Sequence, residues 1–215
     1  MDKMNMILSI LEENIVTSTK SLEENLDVLD ILLGEEVCFD FENRIITELR
    51  LSPETENFKS AVNEVFKFLN QLQLNRNMII FMLYSQMEGI TYSIIKESNK
   101  IDKYKIYREK NTWKHGVGEL KFMVDYLEHL GKLSLTNKEH KLINFINGDF
   151  RLKRNVITHQ IYEIVTHENV LSFMKENKYI NLSLVLRKFY YEILDEINKL
   201  FNITYDFFEI LKKCN

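Results

Sequence analysis

Proline and glycine are scarce in this 215-residue chain, which holds a single proline, Pro53, and six glycines. Chain reversals depend on these residues, because glycine reaches backbone angles closed to other residues and proline presets a turn. A sheet protein with many reversals is therefore not expected, and long helices are. Cysteine is almost absent too. Cys38 and Cys214 are too few for a disulfide scaffold and lack the spacing of a metal clip, so a reducing, cytoplasmic setting is expected. Long apolar runs are missing: the longest, Met78–Tyr84, has seven residues, where a bilayer span needs roughly 20. The first fourteen residues pass from an apolar stretch into acidic ones without a small-residue cleavage site. Neither a signal peptide nor membrane association is expected. Positive charge is not in excess, with 28 Lys and Arg against 32 Asp and Glu and a net charge of −4. That balance argues against a sequence-blind nucleic-acid coat protein.

What is present fits a helical core. Hydrophobic residues make up 45% of the chain, with 14 Phe and 10 Tyr, enough to fill a sizeable interior. The expected fold is all-α, an antiparallel helical bundle. Residues 1–55 would form an N-terminal helical extension packed on a bundle of residues 56–215. Apolar residues at helical spacing predict one or two helices over Met6–Leu33, with Ile7, Ile10, Leu11 and Ile15 leading the stripe and Gly34 as the stop. Residues 35–55 are mixed in character. Helices are predicted over Asn57–Leu72 and Asn75–Ser98. The second is apolar all round at Met78–Tyr84, as a central buried helix would be. Further helices are expected over Gly118–Leu130, Thr136–Ile146, about 150–167 and Asn181–Lys212, with a short turn at Val170–Met174. Asn147–Gly148 reads as a break, with Asp149 as a candidate cap for the next helix.

The residues with the most chemistry lie in the stretch DFRLKRNVITHQIYEIV, which begins at Asp149. Arg154 is followed directly by Asn155 and, after four intervening residues, by His159. This arrangement resembles the HEPN superfamily, whose motif is an Arg, four to six residues and a His, often with a polar residue after the Arg. An all-α chain, a motif late in that chain and an earlier helix carrying the pair Glu88-Gly89 after an apolar stretch all agree with the resemblance. It spans about residues 57–200. What it implies is a metal-independent ribonuclease with no cofactor, of the kind found in toxin–antitoxin, abortive-infection and CRISPR-linked defence systems. The partners it implies are RNA, a second copy of the chain and an antitoxin or other regulator.

The residue types suit that chemistry on their own terms. RNA is cut when its 2′-hydroxyl attacks the neighbouring phosphorus. Histidine titrates near neutrality and can take or give the proton, so His159 is the candidate general acid/base. Arginine stays charged and presents a planar fork to phosphate oxygens, so Arg154 is the candidate for stabilising the phosphorane. Asn155 would position the phosphate. Asn155, His159 and Tyr162 follow i, i+4, i+7 and share one helical stripe, whereas Arg154 lies about 140° round the helix from His159. A second subunit would relax that constraint. Arg151, Lys153 and Tyr162 are candidates for holding substrate.

Glu88 stands in an otherwise apolar helix, where a charge needs a partner. It is expected either to pair with Arg154 or His159 or to sit on a wet face. One HEPN subgroup carries a modifiable Tyr two residues after the His. Here Tyr162 comes three after, so that modification is not carried over. Lys103, Lys105, Arg108, Lys110 and Lys114 interleave with Tyr104, Tyr107 and Trp113 as an RNA-binding pattern or, as the preferred reading, a solvated connector with inward-packed rings. His159, Glu163 and His167 step by four without an evident third ligand, so no metal is expected. The competing reading of the whole chain is a non-catalytic helical module that binds RNA, a nucleotide or a partner protein.

Overall fold

The computed structural model describes residues 3–34, 37–40, 45–49, 56–98, 100–111, 117–159 and 182–214, with side chains for 4–29, 63–98, 100–111, 117–158 and 186–214. The fold is all-α, as expected. In chain order the helices are α1 (Lys3–Gly34), α2 (Glu56–Glu97), α3 (Ile101–Lys110), α4 (Glu119–His129), α5 (Asn137–Phe145), α6 (Arg151–His159) and α7 (Leu182–Leu211). A short antiparallel hairpin, β1 (Val37–Asp40) and β2 (Ile45–Leu49), interrupts them. It pairs Val37 with Leu49 and Asp40 with Ile45 and carries a bulge between Val37 and Phe39. The β-branched and aromatic residues of these two short runs suit a pleated pair. They fall in the stretch that reads as mixed in the sequence.

Two expectations about helix ends are corrected. The helices expected at Asn57–Leu72 and Asn75–Ser98 are a single 42-residue helix. Nothing between them breaks a helix, since Gln73, Leu74 and Asn75 include neither glycine nor proline. The break expected at Asn147–Gly148 is absent as well. A π-helical turn over Ile146–Phe150 joins α5 to α6, with Phe145, Ile146 and Arg151 all in right-handed helical geometry. Asp149 lies inside that turn and caps nothing. Where stops do occur, their chemistry is plain. Gly131 adopts φ +66 after α4, and Lys132 donates back to the Leu127 carbonyl at 3.0 Å, a closure that favours glycine. Thr136 and Glu139 cap α5 reciprocally in a capping box.

Packing divides the chain into two compact units. One comprises Met1–Glu12, Asn77–Ile161 and Ile197–Asn215, the other Glu13–Arg76 and Tyr162–Glu196. Three of the four dividing points fall inside α1, α2 and α7. The second unit has a core of Leu22, Leu26, Leu29, Val65, Phe68, Leu72, Leu186 and Tyr190. Arg76 clamps Glu196 there through two hydrogen bonds of 2.6 and 3.1 Å. The first unit buries Ile79, Ile80, Leu83, Tyr84 and Met87 of α2 together with Phe150, Ile157, Phe207 and Phe208.

The Met78–Tyr84 stretch is not buried all round, as its composition suggests: Met78 is 55% and Phe81 46% exposed. On α1 the inward stripe is Met4, Leu8, Leu11 and Ile15, and Ile10 faces solvent. By length and composition the stretch Asn63–Glu97 is apolar enough to cross a membrane, a feature the short apolar run does not foreshadow, and 44% of its most apolar window is buried inside the protein. A buried core helix meets the same criterion.

Candidate functional site

The π-helical turn fixes how α6 presents its polar residues. One added residue per turn rotates the rest of the helix by about 100° relative to an uninterrupted α-helix. The turn is tied to the start of α4, because the Gly118 amide donates to the Asn147 side-chain oxygen at 2.8 Å. Arg151 Nε donates to the Asn147 carbonyl at 2.7 Å. A Cβ at Gly118 would collide with Cδ of Arg151, so glycine there lets the arginine side chain pass. The buried Phe150 closes the turn, its ring edge-on to Tyr84 at 5.6 Å and 70°.

Arg154 follows one turn later and is held from three directions. Nη2 donates to Glu88 Oε1 at 2.9 Å, and Nη1 donates to Asn155 Oδ1 at 3.2 Å. The guanidinium carbon lies 4.6 Å from the centroid of the Tyr84 ring. Of the two alternatives for Glu88, the structure therefore shows the pairing with Arg154. Both side chains are about three-quarters buried, with exposures of 23% and 26%. A pair this withdrawn from water is screened less than a surface ion pair. Arg154 Nε and the Tyr84 hydroxyl are buried without a hydrogen-bond partner among the described residues.

These surroundings shift the site's acids. Burial pushes the Tyr84 hydroxyl up to about 12, and the Glu88 charge adds to the rise against the opposing pull of Arg154 and Arg151. Tyr84 is therefore neutral at physiological pH and is no phenolate base. Burial also raises the Glu88 carboxyl above its ordinary value, outweighing the Arg154 charge and hydrogen bond, while Glu119 pushes in the same upward direction. The folded protein thus binds the Glu88 proton more tightly than the unfolded chain. Its contribution to stability is fully present below the ordinary carboxylate pKa and is lost as pH rises through the raised value. As pH rises above the ordinary carboxylate range, denaturant unfolding is expected to show wild type losing stability relative to Glu88→Gln. Equal slopes for the two proteins would remove Glu88 as the source of that loss.

The structure brings Arg154, Asn155 and Glu88 together and sets Arg151 and Lys153 on the same helix as the first two. His159 is the last residue of α6, one helical turn beyond Asn155 and about 140° round the axis from Arg154. Its backbone is described and its side chain is not. Tyr162, Glu163, His167 and the expected turn at Val170–Met174 lie outside the described residues. Among the described residues no group of three or more His, Cys, Asp or Glu could hold a metal ion.

In α3 the aromatic residues pack inward. Tyr104 is buried and its hydroxyl donates to Glu119 at 2.6 Å. Tyr104 and Tyr107 lie 5.3 and 5.2 Å from the Tyr126 ring, and Tyr107 stacks on His129 at 5.3 Å. This is the connector arrangement, with rings committed to the interior. Trp113 and Lys114 lie outside the described residues.

Tyr84 is the site residue that sequence reasoning missed. The available signal was its position one turn before Glu88, which places both on one face of α2. No protein-family model matches the chain, and no curated protein or solved structure matches it significantly.

Proposed function

We propose that the chain is a metal-independent endoribonuclease of HEPN type. The observation that carries this reading is the fixed guanidinium of Arg154, held by Glu88, Asn155 and Tyr84, one and a half turns before His159 on the same helix. An arginine so held is pre-organised to meet charge that develops on a phosphorane. Among the described residues it donates one hydrogen bond from each terminal nitrogen, and the second N–H of each is left for phosphate oxygens, while Nε is buried. His159 accepts the proton of the attacking 2′-hydroxyl or gives one to the departing 5′-oxygen. The new bond joins O2′ to phosphorus as the bond to O5′ breaks, leaving a 2′,3′-cyclic phosphate and a 5′-hydroxyl. Asn155 positions the phosphate, and Arg151, Lys153 and Tyr162 hold flanking parts of the RNA.

A homodimer belongs to this proposal. A single α6 separates Arg154 and His159 by about 140°, and a second copy would supply the missing member of each pair. Leu152 and Val156, one turn apart on α6, are 55% and 53% exposed, an apolar pair suited to such a contact. A role in bacterial defence, as a toxin held by an antitoxin or as an abortive-infection factor in the cytoplasm, is proposed from the resemblance alone.

One observation favours the non-catalytic module: two donors of Arg154 are already committed to protein acceptors, as in a structural ion pair. Substrates distinguish the two readings. An RNA oligonucleotide that wild-type protein cuts is expected to become resistant when the nucleotide 5′ to the scissile bond is 2′-deoxy. Cleavage of the 2′-deoxy form at the same bond would rule out 2′-hydroxyl attack.

A further inference from the structure

Tyr84 has no polar task that the described residues reveal. It is fully buried on α2, one turn before Glu88, and its hydroxyl has no partner among the described residues. Its ring has a task. One face lies against the Arg154 guanidinium at 4.6 Å, and the ring packs at 70° against Phe150, which belongs to the turn that launches α6.

The geometry points to Tyr84 as a positioning residue for Arg154, with the ring, rather than the hydroxyl, as its working part. Hydrogen bonds to Glu88 and Asn155 fix two ends of the guanidinium. Bonds of that kind still allow the group to tilt. An aromatic face beneath it, attracting the cation through the ring quadrupole, limits the tilt and fixes the plane. Phe150 in turn limits the Tyr84 ring, so the plane of the arginine is referred back to the π-helical turn. The guanidinium then meets a ligand with its orientation already set, which lowers the entropy lost on binding. This inference rests on Arg154 being the anion-binding group of the proposed site.

The test compares Tyr84→Phe, which keeps the ring, with Tyr84→Met, which fills similar space without a π face. The readout is the Arg154 Nε–H resonance, assigned by its loss in Arg154→Lys. Wild type and Tyr84→Phe are expected to share an upfield-shifted, slowly exchanging proton. In Tyr84→Met it should move towards the position of a free arginine and exchange faster. RNA cleavage should stay within about twofold of wild type in Tyr84→Phe and fall about tenfold or more in Tyr84→Met, the size of an effect on orientation. Should Tyr84→Met not fold, pentafluorophenylalanine at position 84 keeps the shape and reverses the quadrupole, and the same loss of shift and protection is expected.

An unchanged Arg154 resonance in the ring-altered protein would overturn the inference, as would equal losses of cleavage in Tyr84→Phe and Tyr84→Met. If wild type cuts no RNA, the resonance still decides whether Tyr84 holds Arg154, and the nuclease reading fails separately.

Discussion

Arg154→Ala is expected to lower stability by about 2–3 kcal/mol and to abolish RNA cleavage. The stability loss comes from what the change leaves behind. Glu88 is left in a site about three-quarters withdrawn from water without the cation opposite it, so its carboxyl must either stay charged and unpaired or take up a proton. Removing one member of a buried pair costs roughly 3–5 kcal/mol, and the remaining exposure of both side chains reduces that figure. The Tyr84 ring also loses the group that covers its face. Denaturant unfolding measures the first effect. A cycle combining Arg154→Ala with Glu88→Gln should recover part of the loss, with a coupling of about 1 kcal/mol. Strict additivity would mean that the 2.9 Å contact carries no energy.

Phe150→Ala is expected to cost more stability, about 3–5 kcal/mol, the usual range for emptying a buried phenylalanine site. Phe150 is fully buried and lies at the junction of the π-helical turn with α6. Its loss removes apolar contacts and the edge that supports Tyr84, so the seat of Arg154 should loosen as well. Thermal unfolding measures the stability. The Arg154 Nε–H resonance measures the loosening, which should resemble that of Tyr84→Met. Phe150→Leu, which retains most of the volume, should cost about 1 kcal/mol. A loss below about 1 kcal/mol for Phe150→Ala would show that the turn is not pinned through this ring.

Much of this arrangement is written in local patterns. Scarce glycine and proline imply the helices, and Gly131 marks the end of α4 by the positive φ it adopts. Glu88 draws attention because a carboxylate among Met87, Ile90 and the preceding apolar run needs a cation, and Arg154 meets that need. The π-helical turn is not legible. Asn147 and Gly148 are weak helix formers, and their helical geometry accompanies a bond to a distant residue, Gly118. The same holds for the continuous α2, since Gln73–Asn75 neither requires nor forbids a helix. Periodicity also misjudges one edge of a face, since Leu8 is buried on α1 and Ile10 is exposed. Tyr84 escapes notice because a tyrosine at the end of an apolar run reads as core. Only the geometry reveals the arginine on its face.

On the proposed function, His159 and Arg154 cut RNA without a metal. The direct test incubates end-labelled RNA with purified protein in excess EDTA, with His159→Ala in parallel. Wild type is expected to leave 2′,3′-cyclic phosphate and 5′-hydroxyl ends, and His159→Ala to be slower by about 10²–10⁴, the contribution typical of a general acid/base. Folded wild-type protein that cuts no RNA, in EDTA or with Mg²⁺, would contradict the claim and leave the Arg154 cluster as the core of a binding module.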